Sequence, residues 1–304
     1  MMRKATLLVL TGILVLGLAA DAQSAFQNGD VFVAVGNGQV KEFTPAGTLV
    51  QTLSDSTGRD TAGLAFDLDG NLYVAGNSGG VGAVSKFNNN GVLINANFIT
   101  GQVLPVSISM AGGSFPALVG DEVVLVINQY NNLGALINSY TVQTENGVGP
   151  SFLDLLPDMQ TVLYTCVGPT IFSYNLATRT QNPPFATDLP FHAYNLSKIT
   201  GGPYAGDALV ADLEKILLVA PGGSIVKIYD PLQGGIGLLI GLALSADSKS
   251  FWTYEADSGE IWQIDIATGS TLAQWNDGVP FLTGGLAIFP ATPIPSKCAR
   301  PCRP

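Results

Sequence analysis

One pattern recurs along the chain and leaves few folds open: an apolar run, a short polar turn and a second apolar run. LAFDLDGNLYVAG from Leu64 is the clearest copy. LVGDEVVLVINQ from Leu118, LDLLPDMQTVLYTC from Leu153, LVADLEKILLVAPG from Leu209 and LALSADSKSFWTYE from Leu242 repeat it, and LAIFP from Leu286 stops after the first arm. The arms are short, and β-branched and aromatic residues gather in the second, as in paired strands. A further word of the form [VI]-x-x-[FYI] follows each complete copy at nearly constant distance: VSKF at Val84, INSY at Ile137, IFSY at Ile171, IVKI at Ile225 and IWQI at Ile261. It reads as a third strand, and VKEF at Val40 is the same word ahead of the first complete copy.

The mean period from Leu64 to Leu286 is about 44 residues, the size of a propeller blade of four strands. The two ends complement each other. VFVAVG from Val31 and VKEF are a second and third strand without a first, and LAIFP is a first strand with nothing after it. Pairing them predicts an all-β, six-bladed β-propeller of four-stranded antiparallel blades, closed by a C-terminal strand around Leu286 that joins the N-terminal blade and leaves no open sheet edge there. No segment beyond the N-terminal apolar run keeps a helical period over three turns, and a two-sheet sandwich does not explain complementary half-units. Two registers remain open. Constant strand offsets put insertions in the joining segments 91–117 and 180–208; the alternative makes ISM near Ile108 and NLS near Asn195 the first strands of their blades.

The N-terminus places Arg3 and Lys4 before an apolar run, Ala5 to Ala20, followed by Ala20-Asp21-Ala22. This is the layout of a secretory signal, and the run is shorter than the ~20 residues of a membrane span. The expected organisation is a signal peptide over residues 1–22, one propeller over 27–290 and a Pro/Cys-containing tail over 291–304, with no transmembrane span after cleavage and a secreted or periplasmic, monomeric product. A formal charge of −10 with no basic window excludes nucleic acid as a partner. Cys298 and Cys302 in SKCARPCRP are spaced for a local disulfide or a contact with another molecule, and Cys166 follows an apolar strand as a small buried residue.

Candidate chemistry is sparse. GNSGG at Gly76–Gly80 has the spacing of a serine-hydrolase elbow but separates two strands, where that motif needs a strand entering a helix. Asp67, Asp69 and Asn71 are spaced like the start of a calcium loop, yet its sixth and twelfth positions are Leu72 and Ser78. The sister turns PDMQ, LEK and ADSK share no ligand set, so an ordinary hairpin turn is the better reading. His192, in DLPFHAYN, is the single histidine and the one candidate base. EADSGE places Glu255, Asp257 and Glu260 together, which marks Glu255 as a weak catalytic or metal candidate. The expected ligand-binding residues at strand ends and joining segments are Asn77, Asn128, Tyr130, His192, Tyr194, Asn195, Glu255 and Asp257.

The word GLAFDLDGNLYVAGN followed by AVSKFNNNG resembles an NHL repeat, and the wider pattern is similar to the six-bladed superfamily of the SMP-30/gluconolactonase family and the streptogramin B lyases. The lactonase resemblance implies a divalent metal, Ca or Mg, held in words of the form NGLAFSPDG…LYVADS by the Asn, the last Asp and a distant Glu. In the copy from Leu242 those first two positions are Ile240, which cannot bind a metal, and Glu255, which can; in the copy from Leu64 they are Ala62 and Gly76. The lyase resemblance implies a catalytic histidine, for which His192 is the one residue present. The expected function is therefore an exported, non-catalytic propeller binding a protein, glycan or small polar ligand through its central-channel face. The alternative is a metal-dependent lactonase- or lyase-like enzyme using Glu255, His192 or both.

Overall fold

The computed structural model describes residues 24–279 and 285–290, so the signal segment and the tail with Cys298 and Cys302 lie outside the described residues. The strands are, in chain order, β1 (Val31–Ala34), β2 (Gln39–Phe43), β3 (Leu49–Ser54), β4 (Asp60–Phe66), β5 (Leu72–Ser78), β6 (Val81–Phe87) and β7 (Leu93–Gln102). Then come β8 (Pro105–Ser109), β9 (Ala117–Asp121), β10 (Val126–Tyr130), β11 (Leu136–Thr141), β12 (Leu153–Leu155), β13 (Thr161–Thr165), β14 (Ile171–Asn175) and β15 (Thr180–Gln181). The remaining strands are β16 (Ala193–Lys198), β17 (Ala208–Asp212), β18 (Lys215–Val219), β19 (Ile225–Tyr229), β20 (Leu239–Leu244), β21 (Ser250–Glu255), β22 (Glu260–Asp265), β23 (Thr271–Asn276) and β24 (Leu286–Ile288).

They pair as six four-stranded antiparallel sheets: β4–β7, β8–β11, β12–β15, β16–β19 and β20–β23 are blades two to six, and blade one is ordered β24-β1-β2-β3. The protein is a six-bladed β-propeller, and β24 closes it by pairing Leu286 with Val33, Ala287 with Phe32 and Ile288 with Val31. Around this joint Phe26, Phe32, Phe66 and Phe289 meet edge-on, with centroids 4.6–6.0 Å apart. The joint is thus held by strand pairing and by aromatic packing from both ends of the described chain.

Apolar burial follows the blade interfaces. Six clusters each join two neighbouring blades; Leu118 and Tyr140 of blade three, for example, pack on Tyr164 and Tyr174 of blade four. Both faces of a blade are therefore covered, which is why its strands lack strict polar alternation. Antiparallel order divides the ends of the blades into two sets. One face carries the first-to-second and third-to-fourth turns, the hairpin face; the other carries the second-to-third turns and the links between blades, the crossover face.

In LAFDLDGNLYVAG, Asp67 makes the hairpin turn. Its Oδ1 accepts the Asp69 and Asn71 N–H groups at 3.0 and 2.9 Å, its Oδ2 accepts from the Tyr73 hydroxyl at 2.9 Å, and Gly70 supplies the positive φ of +79°.

The constant-offset register holds in blades one, two, four and six and fails in blades three and five. There the first strands are β8, carrying Ile108, and β16, carrying Asn195; the words from Leu118 and Leu209 are second and third strands, and INSY and IVKI are fourth strands. Any antiparallel hairpin reads as apolar, turn, apolar, so the pattern does not distinguish a first-to-second turn from a second-to-third turn. Segments 91–117 and 180–208 consequently hold β7 with β8 and β15 with β16 instead of long insertions.

Candidate functional site

The register correction aligns the six inner strands as GLAF (63–66), SISM (107–110), FLDL (152–155), NLSK (195–198), GLAL (241–244) and GLAI (285–288). These segments wall a central cavity of about 1000 Å³, a size that suits a small ligand. Lining residues beyond the inner strands belong to the hairpin face: Asp67, Leu68 and Gly70 after β4, Met110 and Gly113 after β8, and Asn28, Phe289 and Pro290 where β24 meets β1. The cavity opens there. Leu68 N–H donates to Gly113 O at 3.1 Å and ties two sides of the mouth together. At the other end the strands converge, and a Cβ on Gly63 would stand 2.4 Å from Ser107 Cα, so glycine is needed for β4 to approach β8.

The third residue of each aligned word forms one level of the wall: Ala65, Ser109, Asp154, Ser197, Ala243 and Ala287. Five are small alanines or serines and one is a carboxylate. Asp154 Oδ2 accepts the Lys198 backbone N–H at 2.6 Å, joining β12 to β16, as Ser109 Oγ accepts Leu155 N–H at 2.9 Å to join β8 to β12. Asp154 is enclosed by protein on every side and retains exposure only through the lumen; this desolvation pushes its pKa up to about 6, against the opposing pull of the Lys198 N–H and ammonium. The Lys198 ammonium itself sits 4.1 Å above the Phe185 ring and donates to Gly206 O, and burial lowers its pKa. The other lumen carboxylate, Asp67, is engaged by its turn and lies 4.0 Å from Lys86 Nζ.

The crossover face has a different chemistry. In blades three, five and six the second strand ends in a carboxylate, Asp121, Asp212 or Glu255, none more than 3% exposed. Each reaches the incoming link from the preceding blade. Asp121 accepts Val103 and Leu104 N–H at 2.7 and 3.3 Å, Asp212 accepts Phe191 N–H at 3.1 Å, and Glu255 accepts Leu238 N–H at 2.8 Å. Glu255 also takes Asp257 N–H, Ser258 N–H and the Ser258 hydroxyl at 3.1, 2.7 and 2.5 Å. Desolvation raises the Glu255 pKa, but these four donors outweigh it and hold the carboxyl below its usual range. Asp212 has fewer donors and a buried Oδ1 without a partner, and burial pushes it up to about 6, with His192 opposing the rise.

Of the expected ligand-binding residues, Asn195 alone lines the cavity. Asn77, His192, Tyr194, Glu255 and Asp257 stand at crossover ends of blades two, five and six; His192 and Asp257 are exposed. Asn128 and Tyr130 sit on β10, a third strand, where both contact Gln102 of blade two. Among the described residues no group of three His, Cys, Asp or Glu side chains is placed to hold a metal ion. Asp154 was missed because LDLLPD looked like an unremarkable first strand until its five sisters were in register.

No family profile matches the chain, and comparison with curated proteins finds no significant relative. Solved structures do match. A chain of the crystal structure of a nidogen/laminin complex superimposes with a TM-score of 0.70 at 13% sequence identity, over 86% of this chain and 98% of that one. This similarity independently places the chain among β-propellers.

Proposed function

We propose that the protein is an exported, non-catalytic binding propeller that takes a small ligand in its central channel. The observation that carries the reading is the cavity of about 1000 Å³ built by all six inner strands and open at the hairpin face. Its walls hold aliphatic side chains, Phe66 and Phe289, with a few polar groups such as Ser109, Asn195 and Ser197, the composition of a small-molecule site. What weighs against a lactonase- or lyase-like enzyme is the use already made of its candidates. Glu255 Oε1 is engaged in the blade link and Oε2 in the turn after β21, and His192 lies on the crossover face, away from the cavity mouth. Calorimetry with n-octanol, a neutral apolar probe, tests the reading: the wild type binds it, and Ala243→Phe, which fills the lumen, abolishes binding. Equal binding to both chains overturns the assignment to the channel.

A protein partner is favoured by a separate observation. Val81, Val123, Val124, Phe191 and Ile236 expose 40–90% of their surface, all on crossover-face turns and links, and such apolar groups together suit protein docking. The similar solved chain also comes from a protein complex. Ile236→Asp separates the two readings: it preserves octanol binding and removes retention of a protein partner.

A further inference from the structure

The inner ring breaks its own symmetry at one place. Ala65, Ser109, Ser197, Ala243 and Ala287 occupy the position that Asp154 occupies on β12. A carboxylate set in an uncharged wall is costly unless a charge or several donors meet it. Among the described residues Asp154 has one donor, the Lys198 N–H on Oδ2, and no cation within ion-pair distance. The strand tie does not require a charge, since neutral Ser109 makes the same kind of tie one blade earlier. Lys198 is turned to Gly206 and Phe185, and Lys86 to Asp67. The remaining carboxylate oxygen of Asp154 is therefore the strongest unmet acceptor on the cavity wall, within a chain of net charge −10 that attracts cations over distance.

We infer that the channel binds a cation carrying an apolar body, an aliphatic ammonium compound, with its charged head on Asp154 and its body along the apolar lining of Phe66, Met110, Leu244, Ile288 and Phe289. This rests on the channel reading above and adds the ligand class. The head replaces lumen water on the free oxygen, and the body covers apolar wall, so neither a free metal cation nor a neutral alkane supplies both halves of the interaction.

The test uses three probes of equal chain length, n-octylammonium, n-octanol and n-octanoate, titrated calorimetrically into the full chain and into Asp154→Asn. Asparagine keeps an acceptor for Lys198 N–H and removes the charge. The expected order in the wild type is octylammonium over octanol by about tenfold or more, the size of a charge-assisted hydrogen bond, with octanoate weakest. Asp154→Asn should bring octylammonium down to the octanol level and leave octanol unchanged.

A pH series on the wild type serves if the variant fails to fold: octylammonium binding should weaken as pH falls through about 6 while octanol binding stays flat. The other charged groups nearest the lumen are Lys198 on β16 and the Asp67–Lys86 pair at the β4 turn. Equal affinities for octanol and octylammonium, or a preference for octanoate, overturn the inference and leave the channel reading standing. Failure of all three probes to bind overturns both.

Discussion

Glu255 Oε1 accepts the Leu238 N–H at 2.8 Å and so fastens the end of β21 to the link entering β20. Asp121 and Asp212 do the same for blades three and five. A carboxylate at this position closes its blade on the connection before it. Glu255→Ala should therefore destabilise the fold by about 2–4 kcal/mol, because several donors lose their acceptor in a buried site. Exposed Asp257→Ala, two residues on, should change stability by less than about 0.5 kcal/mol. Urea denaturation of both variants checks the contrast. Because the folded pKa of Glu255 is depressed, its contribution is present above the unfolded carboxyl pKa and is lost as pH falls through the folded value.

Glu42 predicts the opposite pH dependence. It is fully buried on β2, its Oε2 accepts from Gln51 at 2.6 Å, and its Oε1 meets no hydrogen-bond donor among the described residues. Burial, with a smaller contribution from neighbouring Asp30, pushes its pKa up to about 8 despite the Gln51 bond. A raised carboxyl pKa favours the protonated folded state, so stability falls as pH rises from the unfolded value near 4.5 through about 8. Glu42→Gln should remove that fall. Thermal melts should show little difference between variant and wild type at pH 4.5 and a gain on the order of 1–3 kcal/mol at pH 8.5.

The aromatic joint predicts where closure is most sensitive. Phe32 is fully buried and meets both Phe26 and Phe66, whereas Phe289 is part-exposed at the rim of the cavity. Phe32→Ala should cost about 3–5 kcal/mol and Phe289→Ala roughly 2 kcal/mol. Equilibrium unfolding in guanidinium ranks them. The reverse order would mean that the C-terminal contact dominates the joint.

The architecture was legible because the blade period and the two half-units survive in words such as LAFDLDGNLYVAG and LAIFP. The register of blades three and five was not, because LVGDEVVLVINQ and LVADLEKILLVA are hairpins of the same appearance one strand further out. Their acidic residues held the clue: Asp121 and Asp212 end second strands, as Glu255 does. The site was hidden for the same reason. With SISM and NLSK assigned to joining segments, FLDL had too few sisters for its aspartate to stand out. Attention went to Glu255 and His192, whose surroundings on the crossover face the chain's local pattern does not report.

Cys166 tests the packing between blades three and four with a chemical probe. It follows β13, is fully buried, and burial pushes its thiol up to about 12, with Glu145 and Glu122 nearby adding to the rise against a partly offsetting backbone contact. A thiol must be both exposed and ionised to attack a disulfide reagent, and Cys166 meets neither condition at pH 8. With Cys298→Ser and Cys302→Ser in place to leave it as the single thiol, Cys166 should react with dithionitrobenzoate more than about 100-fold more slowly in the native protein than in guanidinium. The native rate should also rise with urea below the unfolding midpoint, since access requires opening of the blade interface. Fast stoichiometric labelling in buffer would mean that the end of β13 is open to solvent.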